Sequence, residues 1–223
     1  NMEPDYAEAY NSLGIAFKNK NDLNNAIENY KKAISFKLDY AEAFNNTANA
    51  LRAKGDLKAA IKNYKKALKI KPEFIAIYNN LGSTLADIGD LDGAIDSEQQ
   101  ALKIKPDSFE SYTNMGIAWL LKGKVDVAID CHKEALRINP DYAMAHWNQS
   151  LAYLTKADFQ NGWLAYEWRW KATDEIGKYL STSKPIWRSS KGQRVLLWAE
   201  QGVGDEIMFA SIIRDLHAVC SKL

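Results

Sequence analysis

The chain has 223 residues and a formal net charge of +1, with 47% hydrophobic and 26% charged residues. That balance is the one of an ordinary folded protein, and near-neutrality excludes a strong field for nucleic acid or an anionic membrane. No apolar run approaches the roughly 20 residues that a membrane-spanning helix needs, and the opening stretch NMEPDYAEAY has neither the basic nor the apolar region of a secretory signal. Cys131 and Cys220 lack CxxC spacing and read as two reduced thiols, so a cytoplasmic location is expected.

From residue 7 the chain copies itself with a period of 34 residues. Ala26, Ala60, Ala94 and Ala128 stand one period apart, as do Ala33, Ala67, Ala101 and Ala135. Tyr6, Tyr40, Phe74 and Tyr142 share a slot that Ser108 interrupts, and Pro4, Pro72, Pro106 and Pro140 share one that Leu38 interrupts. The repeats run 7–40, 41–74, 75–108 and 109–142, followed by a degenerate fifth at 143–176, where Gly162 and Arg169 replace alanines and Tyr166 keeps the aromatic.

Each repeat carries two apolar stripes at helical spacing, for example Ile77, Leu81 and Leu85, then Leu91, Ala94, Ile95 and Leu102. Between them, Gly89 is suited to a left-handed turn and Asp90 to capping the next helix. Proline closes the repeat because it cannot continue a helix. Gly14, Ala48, Gly82 and Gly116 fall where the first helix must approach its partner closely. The prediction is a helix hairpin that cannot bury its face without a neighbour. Tyr10, Phe44, Tyr78 and Tyr112, the pairs Leu13-Gly14 and Leu81-Gly82, and the following alanine, aromatic, alanine and proline slots together resemble the tetratricopeptide repeat. The resemblance implies an α-α superhelix with the first helix of each pair on its concave face. Pro4 sits in the closing-proline slot of an earlier repeat, so further repeats are expected upstream.

On those first helices the sixth slot holds Ser12, Asn46, Asn80, Asn114 and Asn148, and the fifth holds Asn11, Asn45 and Asn79. Asparagine is a poor interior helix residue because its amide competes with the backbone. Repeating it suggests a compensating role. An amide both donates and accepts, so a ladder of them matches an extended polypeptide backbone, at about 0.5–1.5 kcal/mol net per hydrogen bond. O-linked N-acetylglucosamine transferases have a similar ladder, and that resemblance implies peptide binding at these positions. The other reading is that copied repeats inherit asparagine for structural bonds to their neighbours. The ninth and twelfth slots change from Asn49 and Arg52, through Ser83 and Ala86, to Ile117 and Leu120 and then Leu151 and Leu154. The inner face therefore turns apolar, either as an anchor for a ligand or, the favoured reading, as a seat for the following segment.

The stretch GWLAYEWRW places Trp163, Tyr166 and Trp170 on one face of an expected capping helix, with Trp168 and Arg169 opposite. Residues 172–193 read as a linker rich in Ser, Thr, Lys and Gly. Then RVLLWAEQ has strand character, with Val195–Ala199 at its centre, and GVGDE precedes a helical stripe of Met208, Ile212, Leu216, Val219 and Leu223. This is the pattern of a β–loop–α unit whose helix N-terminus faces a ligand. It is neither a Walker loop nor a full dinucleotide fingerprint. YEWRW, PIW and VLLWAEQGVGDEIMFAS together resemble the junction in bacterial proteins that join tetratricopeptide repeats to a glycosyltransferase of two Rossmann domains (GT-B), and the Gly-Asp pair resembles the first loop of heptosyltransferases. That resemblance implies an acceptor loop of Gln201, Gly202, Gly204, Asp205 and Glu206, with Asp205 either the base on the acceptor hydroxyl or simply a helix N-cap.

The expected fold class is therefore mostly α: an α-α superhelix over 1–171, a linker, and at 194–223 the first β–α unit of a Rossmann-like domain. The expected function is binding of a polypeptide or other acceptor in the concave groove, presented by the parent protein to a nucleotide-sugar-dependent glycosyltransferase. No cofactor is expected in this stretch itself, and no metal, because His132, His146 and His217 do not cluster. The alternative is a pure interaction scaffold. The orphan strand would expose an edge, expected to be covered by the array's own apolar end or by a second copy in a homo-oligomer.

Overall fold

A computed structural model describes residues 4–172, and among these all regular structure is helical. The helices are α1 (Pro4–Asn19), α2 (Leu23–Phe36), α3 (Ala41–Ala53), α4 (Leu57–Ile70), α5 (Ile75–Asp87), α6 (Leu91–Ile104), α7 (Phe109–Leu121), α8 (Val125–Ile138), α9 (Ala143–Thr155), α10 (Phe159–Tyr166) and the short α11 (Arg169–Ala172). The chain divides into two compact units, Asn1–Tyr166 and Glu167–Leu223, and α11 belongs to the second.

Each hairpin is made by the same local chemistry. Two residues after the first helix of each pair the chain turns through a positive φ, at Asn21 (60°), Gly55 (84°), Gly89 (82°), Gly123 (73°) and Ala157 (62°). Glycine adopts this conformation without the steric cost that a Cβ imposes. The next residue caps the second helix: Asp22, Asp56, Asp90 and Asp158 accept from the backbone N–H three positions on, at 3.2, 3.1, 3.0 and 3.2 Å. Lys124, in the same slot, makes no side-chain cap. Asn25 and Asn161 also donate side-chain bonds to Asp22 and Asp158, and these bonds hold both carboxyls below their ordinary range.

Within the first unit each second helix packs against its own first helix and the next one, while α1, α3, α5, α7 and α9 also touch one another in succession. The odd helices thus form one continuous inner layer. Close approach is possible because the contact slots are alanines: Ala26, Ala60, Ala94 and Ala128 are at most 2% exposed, and Ala33, Ala67, Ala101 and Ala135 are fully buried. The largest core cluster links repeats two to four through Phe44, Tyr64, Ile77, Leu81, Leu85 and Ile95. Burial on this scale, at about 25 cal/mol per Å² of apolar surface, is what holds neighbouring hairpins together.

Two sequence expectations need correction. The mixed fold class is replaced for the described residues: they contain helix and no strand, and they form an all-helical superhelix without a Rossmann-like β–α unit among them. The residues on which that unit was placed, 194–223, and with them the strand edge invoked for a homo-oligomer, lie outside the described residues, as does most of the linker. GWLAYEWRW is likewise not one helix. It breaks into a turn at Glu167 and Trp168, between α10 and α11, so Trp163 and Tyr166 share a helix (ring centroids 5.5 Å apart, edge to face) and Trp170 does not.

Candidate functional site

The asparagines of the inner layer lie between neighbouring first helices. Asn46 Nδ2 donates to Asn11 Oδ1 at 3.0 Å, and Asn80 Nδ2 donates to Asn45 Oδ1 at 3.3 Å. Both bonds span 35 residues, because adjacent helices are staggered so that slot six of one repeat meets slot five of the repeat before it. The third step departs from this pattern. Asn79 Oδ1 accepts from Ser111 Oγ at 2.8 Å, and Asn114 Nδ2 turns to Glu98 Oε1 at 3.1 Å. Asn148 is buried, and its amide donates to Met144 O within its own helix at 2.8 Å. Part of the ladder therefore staples repeats together. Asn46, Asn80 and Asn114 remain partly exposed, and each bond above occupies one N–H of an amide that has two, with an oxygen that can accept twice.

Beside the ladder the inner face is less regular than the slots suggested. Asn49 Oδ1 accepts from Tyr64 Oη at 2.6 Å. Arg52 reaches across to Asp87, with Nη2 at 2.8 Å and Nε at 3.0 Å from the same carboxylate oxygen. Leu120 packs with Ala128, Ile129 and Ala152, and Leu154 covers Gly162. The expected apolar end of the groove is thus largely taken up by the packing of the hairpins themselves. Ile117 instead lines a cleft of about 220 Å³ with Arg52, Asp87, Glu98, Asn114 and Leu121.

The floor of that cleft holds a group that the sequence reading missed. In each repeat one second-helix slot lies directly under the small residue of the first helix. Tyr30 fills it in repeat one and Tyr64 in repeat two, both fully buried. Glu98 fills it in repeat three at 1% exposure and His132 in repeat four at 0%. A Cβ on Gly82 would come within 2.5 Å of Glu98 Oε1, and one on Gly116 within 2.5 Å of the His132 ring, so each glycine is the counterpart of the group beneath it. Glu98 Oε2 and both His132 ring nitrogens have no hydrogen-bond partner among the described residues. Burial pushes the Glu98 carboxyl up to about 8, against the opposing bonds from Asn114 and Ser111, and burial alone pushes His132 down to about 4. Both are therefore neutral near pH 7. The signal was legible: an otherwise aromatic slot (Tyr30, Tyr64, Tyr166) that turns to Glu and His in consecutive repeats.

Cys131 is buried, and burial raises its thiol to about 11, which makes it a packing residue rather than a nucleophile. Among the described residues no group of His, Cys, Asp and Glu could hold a metal ion, and no helix is long and apolar enough to cross a membrane. Asp205 and the loop residues Gln201, Gly202, Gly204 and Glu206 lie outside the described residues.

Comparison with known proteins agrees with this architecture. A family model described as tetratricopeptide repeat matches residues 7–40 and 75–108, and one described as TPR repeat matches residues 48–89. No curated protein sequence matches the chain. Among solved structures, MamA (residues 41 to the end) from Desulfovibrio magneticus is 17% identical, with TM-score 0.67, covering 77% of this chain and 97% of that one. Pseudomonas aeruginosa PilF is 18% identical with TM-score 0.68, covering 77% and 78%. YrrB, described as a TPR protein with an unusual peptide-binding site, is 20% identical with TM-score 0.57, covering 74% and 86%. None of these matches brings in a glycosyltransferase. The chain contains tetratricopeptide repeats at the matched residues, and its described residues have the TPR-solenoid fold.

Proposed function

We propose that the repeats are a protein-interaction scaffold that holds an extended polypeptide along the inner layer of first helices. The supporting observation is the set of partly exposed amides at Asn46, Asn80 and Asn114, each with a donor and an acceptor left over from its structural bond. Asn11 and Asn45 position Asn46 and Asn80 from slot five, Asn79 instead accepts from Ser111, and buried Asn148 bonds back into its own helix. Such amides grip a backbone without reading its side chains. YrrB, which shares the fold, is described as having a peptide-binding site.

The test is affinity for a fluorescent extended peptide, measured by anisotropy on the full chain. Asn80→Ala with Asn114→Ala should weaken binding about tenfold, from roughly two bonds at 0.5–1.5 kcal/mol each, with helicity by circular dichroism unchanged. Unchanged affinity removes the amides from the binding role and leaves them as staples between repeats.

A finer reading makes the bound chain the acceptor of a nucleotide-sugar-dependent glycosyltransferase. It rests on the sequence resemblance of YEWRW, PIW and VLLWAEQGVGDEIMFAS alone. Sequence beyond Leu223 with a second nucleotide-binding pattern would support it, and a stop codon there would leave the pure scaffold.

A further inference from the structure

The cleft between α3, α5 and α7 has walls of one kind and a floor of another. Ala86, Ile117 and Leu121 give it an apolar lining, and Glu98 on α6 closes it from below beside Asn114. Glu98 is 1% exposed, and its Oε2 has no partner among the described residues. Leaving a buried polar group unpaired is costly, and repeats one and two show that a tyrosine fills the same slot. Retention of a carboxyl where an aromatic ring fits points to a ligand that pairs with it.

The chemistry of that ligand follows from the charges around the cleft. Arg52 of α3 and Asp87 of α5 satisfy each other at the rim. From α7 only neutral groups stand beside the carboxyl: Asn114 donates to Oε1, while Ser111 gives its proton to Asn79, and the nearest counterpart on α5 is Gly82. Glu98 is therefore the one charge of the cleft without a counter-charge once ionised, which selects a cation. Asn114 already occupies Oε1, leaving a single oxygen. A guanidinium needs two acceptors in one plane for its bidentate fork, whereas an ammonium is served by one oxygen. The apolar walls suit a methylene stem with a charged tip.

We infer that this cleft is a specificity pocket for a lysine side chain of the bound polypeptide, with Glu98 as its counter-ion. The pocket rests on the peptide-binding reading above and adds side-chain selection to a face whose amides recognise only backbone. With its carboxyl held near 8 by burial, Glu98 gives up its proton when the ammonium enters. The lysine preference therefore grows as pH rises towards 8 and levels off above it.

The experiment uses the full chain and three capped nine-residue Ala/Ser peptides whose central residue is lysine, norleucine or arginine, followed by calorimetry at pH 6, 7 and 8. The lysine peptide should bind at least tenfold tighter than the norleucine peptide at pH 8, with proton release at pH 7. Glu98→Gln should abolish that preference, the lysine and norleucine peptides then binding alike. Glu98→Tyr, which restores the residue of repeats one and two, should abolish it with the fold intact. Equal affinity for lysine and norleucine in the unaltered protein overturns the pocket but leaves the groove standing, and equal affinity for arginine overturns the assignment to lysine. If no peptide binds, the groove reading fails. The pocket then stands or falls on n-butylammonium: shifts of the Asn114 side-chain amide resonances that Glu98→Gln removes support it, and their absence overturns it.

Discussion

Repeats one and two differ from repeats three and four in one buried slot, and the difference separates scaffold from specialisation. Tyr30 and Tyr64 fill the slot with a ring that drives two helices together, and Tyr64 also ties its hydroxyl to Asn49. Glu98 and His132 occupy the same place with neutralised ionisable groups, and Glu98 Oε2 and both His132 ring nitrogens lack partners among the described residues. Identical frames thus carry an aromatic ring in one half, although Tyr30 Oη is also buried without a partner among the described residues, and an ionisable group in the other. A penalty retained inside a repeating core marks the place where the repeats stop being interchangeable.

The comparison breaks most visibly by truncation. Tyr64→Ala should cost about 3–5 kcal/mol by opening a cavity at the centre of the main cluster, read as a lower midpoint in urea unfolding. Glu98→Ala should cost much less at pH 7, because it removes a penalty along with its packing. Equal losses would erase the distinction between the two halves.

The next effect is on pH dependence. The folded pKa of Glu98, about 8, lies above its unfolded value of 4.5, so its contribution to stability is full below 4.5 and is lost as pH rises towards 8. The folded pKa of His132, about 4, lies below its unfolded value of 6.5, so its contribution is full above 6.5 and is lost as pH falls towards 4. Stability should therefore peak on the acid side of neutrality, and Glu98 alone should withhold on the order of 3 kcal/mol at pH 7. Chemical denaturation across pH 4–9 should show Glu98→Gln flattening the alkaline limb and His132→Phe the acid limb. A profile that neither variant changes would mean that the two sites are not desolvated.

A smaller effect checks that the frame outside the slot is uniform. Ala157 holds the turn position with φ 62°, where repeats two to four have glycine. Ala157→Gly should stabilise by about 1 kcal/mol in thermal unfolding, whereas Gly89→Ala should lose a similar amount. No gain at residue 157 would show that the last hairpin closes by different rules from the others.

Much of this architecture was legible in the residues. The period, the turn at Gly89, the cap at Asp90 and the small residues on the first helix all follow from local sterics and hydrogen bonding that each repeat restates. The capping helix misled for a related reason: aromatic spacing in GWLAYEWRW fits a helix, but spacing does not report a turn at Glu167 that interrupts it. The expected β–α unit drew on a local strand, turn and helix pattern that occurs once, and on a resemblance; the described residues, which do not include 194–223, contain only helix.

The sequence by itself determined the hairpin, its length and its stacking unit, because helix periodicity, caps and turns depend on residues a few positions apart. Only the tertiary structure decided which amide meets which. A stagger between neighbouring helices pairs Asn46 with Asn11 and Asn80 with Asn45, then sends Asn114 to Glu98 instead. It also decided that Glu98 is buried under Gly82 at the floor of a cleft, where loss of water rather than any neighbouring charge sets its ionisation. Burial is a property of the assembled layers, and no single repeat carries it.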